Sequence, residues 1–243
     1  MRRLSASELL DVWESGLVQL PVQRALTLLA AGRSQSPDDL AILSVGQRDA
    51  GLLEFREETF GRRLICLTTC RGCGERLEVS FNASDLRVPS QPAEPAILSL
   101  QMDEFEVQFR PPNSLDLLAI SDSKDIQAGR EALLRRCILR VEQSGKQKTV
   151  DDLPATVVET VVERMGEADP QADVQLAFSC PGCAHQWQDG FDIVSFLWSE
   201  LNAWAHRTLR DVHTLASAYG WHESEILALS PGRRQAYLEM VGP

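Results

Sequence analysis

The sequence predicts an α+β fold that is mostly helical, with two short β-hairpins far apart in the chain and a helical insertion between them. Three observations carry this. Apolar residues recur at helical spacing at both ends of the chain. Two stretches near residues 62–82 and 173–192 switch to strict alternation. Each of those stretches is broken at its middle by a Cys-X-X-Cys turn, Cys70-Arg71-Gly72-Cys73 and Cys180-Pro181-Gly182-Cys183.

From the N-terminus, Ser5 or Ser7 followed by Glu8, Asp11 and Glu14 reads as a capped amphipathic helix with Leu9, Leu10 and Trp13 on one face. Pro21 to Ala31 forms a second helix, ended by Gly32, and Ser34–Asp39 is a polar loop. A third helix covers Gly46–Phe60. These stripes read first as core packing. Leu64, Cys66 and Thr68 then alternate with Ile65, Leu67 and Thr69, and Leu77, Val79 and Phe81 answer them beyond the first cysteine turn. Residues 88–96, with Pro89, Pro92 and Pro95, read as a linker. Residues 97–110 alternate again and form another hairpin, stopped by Pro111-Pro112. Asn113 or Ser114 caps a short helix through Ile120. A longer helix is expected from about Ile126 to Gln143, with Leu133, Leu134, Cys137, Ile138 and Val141 inside. Ser144-Gly145-Lys146 turns the chain, a helix runs from Leu153 to Glu167, and Pro170 marks its exit. After the second cysteine hairpin a long helix spans Ile193–Tyr219. Gly220 ends it, and a short helix follows Pro231. The resulting division is 1–60 (helical), 61–87 (first hairpin), 88–172 (inserted α+β region), 173–192 (second hairpin) and 193–243 (helical).

The chain has 243 residues, a 44% hydrophobic fraction and a formal net charge of −11. That is enough for one large or two small globular domains. The acidic balance argues against a protein that works mainly by neutralising phosphates. No apolar run approaches the roughly 20 residues of a bilayer span, and the Met1-Arg2-Arg3 start lacks the apolar stretch of a signal peptide. The chain is therefore expected to stay in the cytoplasm, where thiols remain reduced.

Reduced cysteines in pairs are read as metal ligands before disulfides. One Cys-X-X-Cys turn offers half a tetrahedron and two offer the whole of it, so Cys70, Cys73, Cys180 and Cys183 are the expected ligands of one Zn²⁺ per chain. The hairpins would then form a split zinc ribbon. Its halves stand 106 residues apart (74 to 179), far beyond ordinary ribbon spacing. Matched flanks support the pairing: Phe81, Asp85 and Leu86 follow the first pair, and Trp187, Phe191, Asp192 and Ile193 follow the second. Four thiolates leave no open position, so the ion is expected to be structural and to fasten the first third of the chain to the last. The competing readings are a redox pair, which should open a helix, two local disulfides, and a vestigial site. His185 could replace a sulfur; a solvent-facing His is the simpler reading. Cys66 and Cys137 have no partner spacing and read as small core residues.

No Gly-X-Ser-X-Gly, Walker loop, dinucleotide fingerprint or His-Glu-X-X-His is present. His206 and His213 share a face of the long helix, with Glu200 and Asp211 nearby, but read as polar residues at the edge of a packed helix. Trp198 and Trp221 are either partner anchors or buried. Finally, Leu43-Ser44-Val45-Gly46-Gln47-Arg48-Asp49-Ala50-Gly51-Leu52 resembles Leu229-Ser230-Pro231-Gly232-Arg233-Arg234-Gln235-Ala236-Tyr237-Leu238, with six identities in ten. This reads as a repeated loop-to-helix entry with an Arg in the first turn; chance similarity in short helical sequence is the competing reading.

Residues Asp39–Leu86 resemble the baseplate protein family of T-even-type contractile-tailed phages. The resemblance lies in Leu52-Leu53 with Arg56, Thr59-Phe60-Gly61, the Cys70/Cys73 pair and Asp85-Leu86. Residues Cys180–Val241 look like related proteins of phage-tail-like contractile injection systems. There the shared features are the second cysteine pair, Phe191-Asp192 through Trp198, Asp211-Val212-His213, Tyr219-Gly220-Trp221 and Ile226–Pro231 with Arg233-Arg234 and Tyr237-Leu238. Arg71 stands where Pro would be expected, and Ala184 where Gly would be. The resemblance implies a non-enzymatic baseplate component or assembly factor, with other baseplate, hub or tube proteins as partners and neither nucleic acid nor membrane. The alternative is a zinc-ribbon nucleic-acid-binding regulator, which needs a basic face around the ribbon. An enzyme using His206 and His213 ranks third.

Overall fold

The computed structural model describes residues 1–88 and 97–241, so the proline linker expected at 88–96 lies, but for Val88, outside the described residues. The chain opens with helices α1 (Ala6–Gly16), α2 (Pro21–Arg33), α3 (Pro37–Ala41) and α4 (Val45–Phe60). Ser5 and Glu8 form a reciprocal capping box at the start of α1, and Ser44 and Gln47 form another at α4. The short α3 occupies part of the stretch expected to be a polar loop. Ser36 accepts the Asp38 N–H at 3.2 Å and Pro37 stands in the first turn, so the local chemistry is that of a helix start.

Strands β1 (Arg63–Thr69) and β2 (Arg76–Asn82) form the first cysteine hairpin. A four-stranded antiparallel sheet follows in the order β3 (Leu98–Met102), β4 (Phe105–Phe109), β5 (Ile138–Gln143) and β6 (Lys146–Lys148), with α5 (Ser114–Ala119) and α6 (Ile126–Cys137) between β4 and β5. Helix α7 (Ala155–Ala168) covers this sheet. Val107, Phe109, Val141, Val157 and Val161 form its core. The second cysteine hairpin is β7 (Gln175–Ser179) and β8 (Gln186–Gly190). Helix α8 (Ile193–Tyr219), about 40 Å long, starts where Asp192 accepts the N–H groups of Val194 and Ser195. It ends at Gly220 in the left-handed region, φ 71°. Helices α9 (Glu223–Ala228) and α10 (Pro231–Val241) close the chain.

The helix expected from Ile126 to Gln143 is half helix and half strand. It ends at Cys137, and Ile138–Gln143 is β5. A bulge causes the misreading. Gln108 pairs with Arg140 and Phe109 with Ile138, so Leu139 is the extra residue. The bulge shifts the face parity by one, and Ile138 and Val141 both turn inward. An apolar spacing of three looks helical in sequence. The Ser144-Gly145 turn is a β-hairpin turn, with positive φ at both residues, 50° and 76°.

The two ends of the chain share one core. Leu26, Leu28 and Leu29 of α2, Leu52, Leu53 and Phe55 of α4, Leu64 of β1, and Leu197 and Leu201 of α8 pack together. Each such side chain contributes about 1.5–3 kcal/mol by burial. The region between the hairpins docks on the entry to α4, where Ser44 bridges Asn113 and the Val45 N–H donates to the Pro112 carbonyl at 3.0 Å. Among the described residues, no helix is long and apolar enough to cross a membrane.

Candidate metal centre

The two cysteine loops are copies of one another. Thr69 pairs with Arg76 to close the first, and Ser179 pairs with Gln186 to close the second. In the first, the Cys70 N–H donates to the Glu75 carbonyl at 2.8 Å and the Gly74 N–H to the Cys70 carbonyl at 2.9 Å. In the second, the Cys180 N–H donates to the His185 carbonyl and the Ala184 N–H to the Cys180 carbonyl, both at 2.9 Å. Gly74 and Ala184 occupy the same left-handed position, φ 78° and 58°.

The loops face each other about an approximate two-fold axis. Cys70 Sγ lies 3.6 Å from Cys183 Sγ, and the symmetry-related pair, Cys73 and Cys180, is separated by the same 3.6 Å. All four sulfurs lie within 4.8 Å of one another. The glycines allow this approach. A Cβ on Gly72 would stand 3.0 Å from the His185 Cβ, and one on Gly182 would run into the Glu75 carboxylate. Phe81 near the end of β2 and Phe191 just beyond β8, each eight residues after the second cysteine of its loop, meet edge to face at 5.8 Å.

The donor set fits zinc. A Zn–S bond of about 2.3 Å makes each edge of an S₄ tetrahedron about 3.8 Å, within the span of the cluster. The close pairs cross from one loop to the other, so the cluster belongs to neither loop alone. Burial opposes ionisation of Cys70, but the N–H groups of Cys73 and Gly72 outweigh it and draw its thiol down to about 7. Burial comes first among the effects that push Cys180 up, and the neighbouring thiols add to it. Four sulfurs this close cannot all ionise side by side without a cation among them. Cys70 and Cys180 are buried with Trp187 against Leu77 and Phe178, whereas Cys73 and Cys183 are exposed.

The surroundings are mixed in charge. Arg71 pairs with Asp189, which also accepts the Trp187 indole N–H at 2.9 Å. The Glu75 carboxylate lies 3.6 Å from Cys180 Sγ. His185 is outside the sulfur cluster; its ring stacks on Trp187 at 5.8 Å. Cys137 is buried, and burial pushes its thiol up to about 11. Cys66 is partly buried and likewise outside the cluster. His206 packs edge-on against Trp13 at 5.4 Å. Among the described residues no metal-like group contains His206 or His213. Glu200, read beside them in sequence, is instead the partner of Arg56. Trp198 packs on the shared core beneath the Arg24 guanidinium, and Trp221 stacks on Tyr219 at 4.7 Å. The inward role of Glu75 was missed in the sequence, because a lone Glu after a cysteine turn carries no pattern of its own.

Comparison with curated proteins and with solved structures returns no match for this chain. Comparison with family models does. The model described as T4 bacteriophage base plate protein matches residues 25–198, a stretch that contains both cysteine loops. The chain belongs to the T4 bacteriophage base plate protein family.

Proposed function

We propose that this chain is a non-enzymatic structural or assembly component of a contractile, phage-tail-like baseplate. In this reading it works in the cytoplasm, where such particles are put together, and joins other baseplate, hub or tube proteins. The family match over residues 25–198 is the observation that carries it. One structural zinc ion at Cys70, Cys73, Cys180 and Cys183 belongs to the same reading, and the cross-paired sulfurs support it. A closed S₄ sphere suits a cross-link and offers no position to a substrate. The charge around the sulfurs tells against the nucleic-acid alternative: Arg71 is paired with Asp189, and the Glu75 carboxylate lies against Cys180.

The test is deletion of the gene in a cell that makes the whole particle, combined with affinity purification of the tagged chain. Loss of assembled particles, and co-purification with baseplate, hub or tube proteins, is the expected result. Intact, contractile particles in the deletion strain would overturn the proposal.

A further inference from the structure

Each cysteine loop carries one buried and one exposed cysteine: Cys70 and Cys73 in the first, Cys180 and Cys183 in the second. The close sulfur contacts do not follow the loops. Cys70 Sγ meets Cys183 Sγ at 3.6 Å, and Cys73 Sγ meets Cys180 Sγ at 3.6 Å. Each contact therefore joins a buried sulfur of one loop to an exposed sulfur of the other. The loops are interlocked in this position. The His185 side chain packs over Gly72, and the Glu75 side chain packs over Gly182.

A disulfide needs its sulfurs about 2 Å apart. Small side-chain rotations close a 3.6 Å contact to that length without moving the loops. The two possible outcomes of oxidation differ in what they hold. A bond within one loop leaves the two hairpins independent. Bonds across the loops span 113 and 107 residues of chain and tie the first third of the protein to the last.

We propose that the four thiols also form a redox latch: a peroxide joins Cys70 to Cys183 and Cys73 to Cys180, and the hairpins stay linked by covalent bonds. The exposed sulfur, Cys73 or Cys183, takes one oxygen from the peroxide and becomes a sulfenic acid. The second peroxide oxygen leaves as water. The facing buried sulfur then attacks it, the S–O bond breaks, and the hydroxyl leaves with a proton as a second water. Each disulfide thus consumes two thiols and one peroxide and releases two waters. The inference rests on the positions of the sulfurs and not on the ion. It goes beyond the zinc reading, because the latch keeps the two hairpins together once the thiols can no longer serve as ligands.

Full-length protein as purified is treated with a small excess of hydrogen peroxide, and the remaining thiols are blocked. Trypsin cuts after Arg63, Arg71, Arg76, Arg164 and Arg207, so Cys70, Cys73 and the second pair fall on three peptides, 64–71, 72–76 and 165–207. Mass spectrometry without reduction should find both short peptides bonded to 165–207, with Cys137 still a free thiol. Cys66 shares the first peptide, so Cys66→Ser is run beside the wild type and should give the same pattern. In Cys73→Ser, Cys70 should still join Cys183 and leave Cys180 free. After chelation, oxidised protein should melt roughly 5–10 °C above reduced protein, and dithiothreitol should abolish the gain. Four outcomes overturn the proposal: peptides 64–71 and 72–76 bonded to each other, links formed mainly between two molecules, over-oxidation of Cys73 and Cys183 without a link, or a melt that oxidation does not raise. Metal content is measured separately. Protein that carries no zinc and still forms the cross-loop bonds would refute the zinc reading and leave the latch standing.

Discussion

Arg56 and Glu200, 144 residues apart, form a bidentate ion pair that joins α4 to α8. Arg56 Nε and Nη2 reach the two carboxylate oxygens at 2.8 and 2.7 Å. Nη1 and the second Nη2 N–H donate to the Gly61 and Arg63 carbonyls at 2.7 Å each. One buried side chain thus ties the first helical region, the first cysteine hairpin and the long C-terminal helix into a single unit. The fork geometry explains why Arg rather than Lys stands here.

Removing that guanidinium leaves the partly exposed Glu200 carboxylate and the Gly61 and Arg63 carbonyls to water. Arg56→Met should cost about 2–3 kcal/mol, less than for a fully buried pair. Glu200→Gln keeps the shape and half the acceptors and should cost less. Urea denaturation of both single variants and the double variant measures the coupling. Strict additivity would mean that the pair is not an energetic unit.

We propose that residues 88–172 are an inserted unit. Val107, Phe109, Val141, Val157 and Val161 make a core of their own, separate from the one shared by the chain ends. A fragment of residues 97–168 should therefore fold alone, with dispersed amide signals and a cooperative melt. Its size makes it marginal, with a stability of no more than about 3–5 kcal/mol. A coil-like spectrum for the fragment would sink the insertion reading.

Much of this architecture was legible because its signals are local. Ser5 with Glu8 and Asn113 mark helix starts within four residues, and Gly220 marks an end. The cysteine loops were legible as turns that bring two sulfurs together, because both cysteines of each pair lie within four residues. Two features were not. Ile138 and Val141 read as helical because a bulge at Leu139 gives a strand the spacing of a helix. Arg56 and Glu200 carry no pattern in sequence, because nothing in a single chain marks which distant carboxylate a buried arginine will meet.

Ala184 holds a left-handed conformation that its counterpart, Gly74, adopts without strain. An L-residue there costs about 1–2 kcal/mol, and glycine returns part of that as unfolded-state entropy. Ala184→Gly should therefore stabilise the protein by roughly 0.5–1 kcal/mol and leave the metal content unchanged. Calorimetry and metal analysis check both. A lower melting temperature would show that the two loops are not conformational copies.

Asp116 supplies the pH dependence that can be assigned to one group. Burial opposes its charge, but Arg110, the Asn113 N–H and Arg136 overcome it and hold the carboxyl below its usual value. The Arg110 and Arg136 contacts are 2.6 and 2.9 Å. A folded pKa below the unfolded one means that the unfolded state binds the proton more readily. Its stabilisation is complete above the unfolded value near pH 4 and is lost as the pH falls through the folded value. Asp116→Asn should cost about 2–3 kcal/mol at neutral pH. The gap between wild type and variant should narrow in acid, as read from urea midpoints at about pH 6 and pH 3. A gap that is constant with pH would assign the loss to packing instead.

The zinc proposal makes the most exposed prediction, because it ties composition, stability and particular atoms together. Purified protein should carry one zinc per chain. Ser in place of Cys70, Cys73, Cys180 or Cys183 should each abolish stoichiometric binding, since every sulfur is one corner of the same cluster. The same change at Cys66 or Cys137 should leave the metal in place, because both lie outside that cluster. Chelation should lower the melting temperature and loosen β1–β2 from β7–β8, whose cysteine loops meet at the two 3.6 Å sulfur pairs. It should not produce a random coil. The shared helical core and the sheet core are built from other residues, so part of the cooperative transition should remain. Circular dichroism melts with and without chelator, run beside metal analysis of all six variants, decide the matter. Wild-type protein free of metal, with a melt that chelator does not move, would remove zinc from the account and leave the two cysteine pairs as disulfides or as relics.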